Sequence, residues 1–293
     1  VVGVLTGLGS VGFIYVLESV AEFARGPVAS TFERFGTAEI VLLPALGGLL
    51  VGPLVQRFAR EAKGHGVPEV MTALATRGGH IRKRVVSVKV IASSLTIGFG
   101  GTAGREGPMV QIGSAIGSTV GQWTRLTPQD VRTLVTCGAA GGIAATFNAP
   151  IAAAIFSMEV LIGRVRTDFL LVLLTSLSSC LVARSFLGDF PAFMAPVYSL
   201  VSPAEVPLYF LMGTLIGVAA IGYIRLLYWS EDVFASWHFP DWLKPAVGGL
   251  LVGLVLRFFP EVYGSNFNAI ESALWVRFPW ELLLGLFVAA MVA

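Results

Sequence analysis

Long stretches without a charged side chain divide this sequence and limit what it can fold into. Such runs cover residues 1–17, 40–56, 90–104, 107–124, 133–158, 169–183, 206–224, 245–256 and 282–293. Only 13% of the 293 residues are charged, about half the share in soluble domains, and the mean hydropathy is +0.78. A water-soluble domain needs far more charge on its exterior. A soluble enzyme, a nucleic-acid binder and a disordered scaffold are therefore excluded.

Several of these runs are shorter than the ~20 residues that a helix needs to cross a bilayer. Short spans are stable only when other helices cover their polar ends. We therefore predict an all-α polytopic membrane protein, a bundle of tilted and broken helices. Within 133–158, Gly141-Gly142 and then Asn148 to Pro150 predict a helix end and a restart, with Asn148 as a candidate N-cap.

Basic residues predict how the chain is oriented. Eight of the 20 basic residues lie within 57–89, where only Glu61 and Glu69 oppose them. The positive-inside rule places this region in the cytoplasm, although an exposed basic loop without a role in orientation is the alternative. Arg164 and Arg166 are predicted to flank a helix end at the membrane interface.

An internal repeat is visible along the chain. The string GGLLVG at 47–52 recurs at 248–253, and Gly64 aligns with Gly264 in the same order. Such repeats are typical of transporters, whose substrate lies between the repeats near mid-membrane. We predict a first transmembrane repeat at 1–202 and the opening half of a second at 203–293. The chain is expected to be truncated, with roughly 100 further residues needed to close the second repeat.

Two segments share a glycine-bracketed polar residue, a proline and a helical pattern. They are Gly64-His65-Gly66-Val67-Pro68 and Gly104-Arg105-Glu106-Gly107-Pro108. Proline suits a first helical turn, whose other N–H groups stay free and carry roughly half a positive charge through the helix dipole. Each segment predicts an anion site built from backbone, which attracts an ion yet releases it. The alternative is an ordinary Gly-Pro turn.

Glu106 lies between two uncharged runs, near membrane depth. A carboxylate there is costly and marks a functional site by default. When ionised it can occupy an anion site itself, and when protonated it can leave and admit an anion. We predict that Glu106 is a gate; the alternative is a fixed structural pair with Arg105 or with the helix.

With these motifs in this order, the chain resembles the CLC chloride channels and chloride/proton exchangers over essentially its whole length. Residues 104–108 look like the gating-glutamate motif, 64–68 like a relaxed Gly-Ser-Gly-Ile-Pro motif, and 147–152 with 156–160 like the next helix. The resemblance implies two inverted halves and a homodimer with a pore in each subunit. The candidate anion-binding residues are His65, Gly66, Arg105 and Gly107, and the candidate structural residues are Gly64, Pro68, Gly104, Pro108, Asn148 and Pro150.

The chain departs from the family pattern in ways that affect mechanism. His65 replaces the serine whose hydroxyl touches the central anion, so we expect anion affinity to rise as the pH falls towards about 6, unless the imidazole turns away. Val160 stands where exchangers carry an inner proton-accepting glutamate. Glu159 is one residue earlier, about 100° round a helix. Val160 therefore favours passive conduction. The late tyrosine and Gly-rich Phe-Pro motif of the family would lie beyond Ala293.

These features predict a multi-pass anion channel or uniporter of the plasma or inner membrane, with chloride first among its ions. The alternative is a chloride/proton antiporter with a non-standard inner proton path. An enzyme is not expected, because no nucleophile–base pair has a recognisable spacing. A membrane scaffold would have no use for Glu106 at depth. We expect no cofactor, no metal and, with a net charge of +2, no nucleic-acid partner.

Overall fold

The fold is known from a computed structural model of the chain. It describes residues 1–32, 36, 38–163, 168–191, 194, 196, 199–200, 202–264, 267–276 and 278–292. Arg164 and Arg166 lie outside these residues. All regular structure within the described part is helical, which confirms the predicted all-α architecture.

The helices follow one another along the described part of the chain. They are α1 (Val2–Phe23), α2 (Ala29–Phe32), α3 (Ala38–Phe58), α4 (Val67–Thr76), α5 (Arg84–Gly98), α6 (Glu106–Trp123), α7 (Pro128–Phe147), α8 (Pro150–Phe156), α9 (Phe169–Leu187), α10 (Glu205–Ser236), α11 (Lys244–Leu256), α12 (Phe267–Trp275) and α13 (Trp280–Val292). A π-helical turn, Ala24–Val28, joins α1 to α2, and a second, Ser157–Ile162, extends α8. Single 3-10 turns, Arg60–Ala62 and Pro260–Val262, precede α4 and α12.

The helices of the described part fall into two classes, those long enough to cross a membrane and those too short. Those long and apolar enough to cross a membrane are Val2–Phe32, Ala38–Phe58, Phe169–Leu187 and Glu205–Ser236. Others, such as α4 with its 10 residues, are too short to span alone, as the broken-helix prediction expects. The first span is longer than the uncharged run 1–17, because exposed charged residues continue the same helix towards Phe32. The protein is an integral multi-pass membrane protein.

Helices α6 and α7 form the centre of the bundle, and glycine sets their distance. A methyl group at Gly113 would overlap the carbonyl oxygen of Gly138, and one at Gly138 would overlap that of Gly113. Gly142 faces the carbonyl oxygen of Met109 in the same way. Small residues allow this backbone contact, which packing forces favour in membranes. The packing leaves Glu106 and Gly107 at the start of α6 half-buried, and Pro108 and Met109 after them are buried.

This packing corrects one sequence prediction. The pair Gly141-Gly142 was expected to end a helix, but α7 continues through it to Phe147, because the missing side chains allow close contact with neighbouring helices. Asn148 is the C-cap of α7 in a left-handed conformation (φ 56, ψ 34). The N-cap of α8 is Ala149, so Asn148 is not an N-cap. The helix end and restart around Asn148 are as predicted.

Helices α3 and α11 carry the repeated string and cross each other reciprocally. On each of four glycines, an added methyl group would overlap a carbonyl oxygen of the other helix or of a residue just before it. The pairs are Gly48 with Pro245, Gly52 with Trp242, Gly249 with Pro44 and Gly253 with Val41. The four contacts form two equivalent pairs: a shift of 201 residues turns the contact of Gly48 into that of Gly249, and the contact of Gly52 into that of Gly253. The division at 202/203 stays a prediction.

Candidate functional site

The connection before α4 exposes an uncapped helix N-terminus. Gly64 and Gly66 have φ of +76 and +92, a left-handed conformation that glycine adopts without steric cost. Gly66 is the N-cap of α4 and no side chain bonds the N–H groups there. Pro68 lies in the first turn and has no N–H of its own. The remaining first-turn N–H groups are therefore available to an anion.

Lys89 of α5 fixes this connection from behind. Its side chain is only 3% exposed, and Nζ donates to the carbonyl oxygens of Ala62 (3.0 Å) and Gly64 (2.7 Å). A buried ammonium needs such partners to offset its desolvation. These hydrogen bonds keep the two carbonyl oxygens pointing towards Lys89. Lys89 therefore acts on the shape of the α4 N-terminus rather than as an exposed cation.

Gln111 of α6 ties the same connection to the second helix. Its side chain is fully buried, and Nε2 donates to the carbonyl oxygen of Glu61 at 2.6 Å. The Glu61 carboxylate pairs with Arg82. Burial raises the pKa of Glu61, but the hydrogen bond and charge of Arg82 outweigh it, so the net shift is downwards. Loop 60–66 is therefore anchored to both α5 and α6.

The first turns of α4 and α6 lie side by side. A methyl group on Gly107 would overlap the carbonyl oxygen of His65 and lie 3.1 Å from its carbonyl carbon. A methyl group on Gly66 would lie 2.7 Å from the carbonyl oxygen of Gly107. The two proline-containing segments that the sequence singles out are thus in direct contact. Two positive helix ends meet at one place.

The Glu106 side chain, half-buried at the first position of α6, turns back over Gly104. A methyl group at Gly104 would overlap the carboxylate oxygen Oε2, and the carboxylate carbon would be 2.8 Å from it. The carboxylate therefore occupies space that exists only because residue 104 has no side chain. Arg105, the N-cap residue, lies within electrostatic range of the Glu106 and Glu18 carboxylates.

The backbone and the side chain of His65 have different surroundings. Its carbonyl group touches the start of α6, as described, whereas the residue as a whole is exposed. Within the described residues its imidazole makes no hydrogen bond, so the ring is available to a ligand at the mouth of the site.

Asn148 and Pro150 lie apart from the α4–α6 contact, at the junction of α7 and α8. The Asn148 amide donates to Asp189 Oδ1 at 2.8 Å and its Oδ1 accepts from Arg184 Nε at 2.6 Å. These contacts fasten the junction to the end of α9.

Val160 lies in the π-helical turn Ser157–Ile162. The turn packs on α4, since Leu161 and Val70 share one apolar cluster. Val160 is half-buried and Glu159 is exposed, so the two side chains face different surroundings, as predicted.

Sequence reasoning missed Gln111 and the anchoring of loop 60–66. The available signal was a single amide side chain inside the uncharged run 107–124, since buried polar groups are nearly always bonded. Within the described residues, no group of three His, Cys, Asp or Glu side chains could hold a metal ion. What the arrangement offers chemically is the first-turn N–H groups of two helices beside one carboxylate.

The fold and this site define a class of protein. Broken apolar helices whose N-termini meet inside the bundle are typical of membrane transport proteins. The profile of the voltage gated chloride channel family matches residues 47–293. The chain therefore belongs to the CLC family.

Individual relatives agree with this assignment. The chain is 33% identical to the ClcB-like chloride channel protein of Ralstonia nicotianae over 246 residues, which cover 82% of this chain and 57% of that protein. It is 30% identical over 304 residues to the H(+)/Cl(-) exchange transporter ClcA of Vibrio parahaemolyticus, covering 100% of this chain and 65% of the relative. The chain thus spans less than two thirds of either relative.

A solved structure shows the same fold. The crystal structure of a slow cyanobacterial Cl-/H+ antiporter superposes with a TM-score of 0.85 at 24% identity, over 99% of this chain and 71% of that chain. The predicted CLC-type helical fold is confirmed.

Proposed function

We propose that this protein moves chloride across a membrane between the N-termini of α4 and α6, and that Glu106 competes with the anion for that place. The observation that carries the proposal is the contact of Gly107 with the His65 carbonyl group, which brings two positive helix ends together. Helix N-termini attract anions without binding them as tightly as a full cation would. The candidate anion-binding residues are His65, Gly66, Arg105 and Gly107.

The mode of transport proposed first is chloride/proton exchange. The Vibrio relative, which aligns with all of this chain, is named an H(+)/Cl(-) exchange transporter, and Glu106 is a group that can carry a proton. Exchange here needs an inner proton path that avoids position 160. The second candidate, a passive chloride channel, is favoured by Val160, because valine cannot take up a proton.

One experiment separates the two modes. The protein is reconstituted in liposomes with a chloride gradient, and chloride and proton electrodes record both ions together. The liposomes start without a proton gradient. Under exchange the chloride gradient then drives protons across the membrane, whereas a channel moves chloride without moving protons. A protein that moves neither ion, while an established anion carrier in parallel liposomes does, would overturn the proposed function itself.

The surroundings of the protein are part of the same proposal. We infer a homodimer in a plasma or inner membrane, with the basic region 57–89 on the cytoplasmic side. Support for the orientation comes from the eight basic residues gathered there, which resist translocation. No cofactor or nucleic acid takes part in the proposed activity.

Replacing Gly104 by alanine is expected to raise chloride flux at neutral pH about tenfold, the equivalent of one weakened charge-assisted contact. The new methyl group would overlap the Glu106 carboxylate, which lies at the end of a flexible side chain and can move away. Gly104 is not among the positive-φ residues, so the fold tolerates alanine. Gly12→Ala is the matched control, since nothing lies within 4 Å of its added methyl group. Unchanged or reduced flux in Gly104→Ala would contradict the carboxylate position.

Replacing His65 by alanine is expected to remove a pH dependence of anion binding. In the parent protein, chloride affinity should rise as the pH falls towards about 6, because an imidazolium binds anions more strongly than an imidazole. Calorimetric chloride titrations at several pH values, with His80→Ala as the control for loss of an exposed histidine, measure the difference. If flux and affinity are the same with and without the His65 side chain at every pH, only the backbone binds the anion.

A further inference from the structure

The segment that leads into the gating helix is held by a part of the chain 160 residues away. Residues 99–105 connect α5, which ends at Gly98, to α6. At this connection, Thr102 Oγ1 donates to the carbonyl oxygen of Val262 at 3.2 Å, and the hydroxyl of Tyr263 donates to the carbonyl oxygen of Gly98 at 3.3 Å. Both partners belong to the 3-10 turn before α12, or directly follow it.

The ring of Tyr263 adds a steric contact to these hydrogen bonds. It lies against Gly100, where a methyl group would be 2.5 Å from the ring carbon Cε2 and 2.8 Å from Cζ. Gly100 has φ +95, a conformation that side chains disfavour. The half-buried ring therefore packs on the backbone of Gly100, where neither the conformation nor the space allows a side chain.

These contacts end just before the place that seats the carboxylate. Thr102 is hydrogen-bonded to this turn, and Gly104, which leaves room for the Glu106 carboxylate, is two residues later. Any shift of 98–102 is passed along this short backbone to Gly104. Tyr263 thus acts on the carboxylate only through the connection.

The corresponding connection of the first repeat is held by other means. Loop 60–64 is fixed by the buried ammonium of Lys89, whereas 260–264 carries an aromatic ring that reaches out to the first half of the chain. The ring links the second half of the chain to the gate, and Lys89 makes no such link.

We propose that Tyr263 is a positioning residue that holds the α5–α6 connection and so fixes the Glu106 carboxylate in its seat. This inference rests on the proposed function of Glu106 as a gate. With the ring removed, the connection gains freedom, the carboxylate competes less well with the anion, and chloride flux rises.

The test compares Tyr263→Ala in two backgrounds, the parent protein and Glu106→Gln, by chloride flux in liposomes. In the parent, flux should rise about three- to tenfold, the range of coupling carried by packed contacts. In Glu106→Gln, the same change should have no effect, because no carboxylate is left to position. Tyr263→Phe keeps the ring against Gly100 and should stay within about twofold of the parent. Tyr228→Ala, an exposed tyrosine on α10, is the matched control.

The outcomes are distinct. A rise in the parent that disappears in Glu106→Gln supports the inference. An equal change in both backgrounds means that Tyr263 has a general structural role and overturns it, as does unchanged or reduced flux in the parent. If Glu106→Gln by itself leaves flux and its pH dependence unaltered, the proposed gate fails instead. Tyr263→Phe keeps the test valid if Tyr263→Ala does not fold, since a rise in Tyr263→Phe as large as tenfold would contradict a role of the ring.

Discussion

Replacing Glu106 by glutamine is expected to give a protein with high chloride flux at every pH. Glutamine has nearly the same shape but carries no charge and takes up no proton. It therefore competes poorly with chloride for two positive helix ends. The contact of a carboxylate with such donors is worth about 1.5–3 kcal/mol, so the anion should gain about 10- to 150-fold in occupancy of the open site.

Flux measured at several pH values between about 4 and about 8 checks this prediction. The parent should conduct better as the pH falls, and Glu106→Gln should lose the part of this rise that protonation of Glu106 causes. Under exchange, the variant should also lose coupled proton movement. Glu22→Gln, a change of an exposed carboxylate on α1, should behave like the parent. A variant that keeps the parental pH profile would exclude Glu106 as the gate.

The N-terminus of α4 could be predicted because its cause is local. A glycine that adopts a left-handed conformation, followed by a proline in the first turn, ends one segment and begins a helix whatever surrounds it. Gly66 and Pro68 can therefore be assigned to a helix N-terminus from the sequence, and they lie there in the structure. The same holds for the uncharged runs, since the bilayer imposes the same requirement on every span.

The features that sequence missed depend on distant neighbours. Two adjacent glycines at 141–142 have low helix propensity, yet they lie inside α7 because close packing on Met109 and other neighbours compensates. The contact of Tyr263 with Gly98 joins residues 165 apart. No local pattern marks either partner, so the link across the two halves appears only when the chain is folded.

Gly107 and Gly104 differ in what an added methyl group would meet. A methyl group at 104 meets the flexible end of a side chain, whereas one at 107 meets the backbone carbonyl group of His65. A backbone group that is also held by neighbours cannot move aside cheaply. The loop that carries His65 is fixed by the Lys89 ammonium on one side and by the Gln111 amide on the other.

Gly107→Ala is therefore expected to force the first turns of α4 and α6 apart and to weaken chloride binding strongly. A displacement of about 1 Å in a preorganised site typically costs on the order of a hundredfold, so we expect chloride affinity and flux to fall by about that factor. Thermal unfolding in detergent should also shift downwards, since overpacking of a rigid contact costs about 1–3 kcal/mol.

Three glycine variants measured together make this prediction decisive. Gly12→Ala should match the parent in flux, affinity and thermal stability, because its added methyl group meets open space. Gly104→Ala should conduct more, and Gly107→Ala should bind and conduct about a hundredfold less, although the two positions are only three residues apart. Parental chloride affinity in a folded Gly107→Ala protein would mean that the anion does not bind where these helix ends meet. Opposite effects at 104 and 107 would locate both the gate and the anion at this one contact.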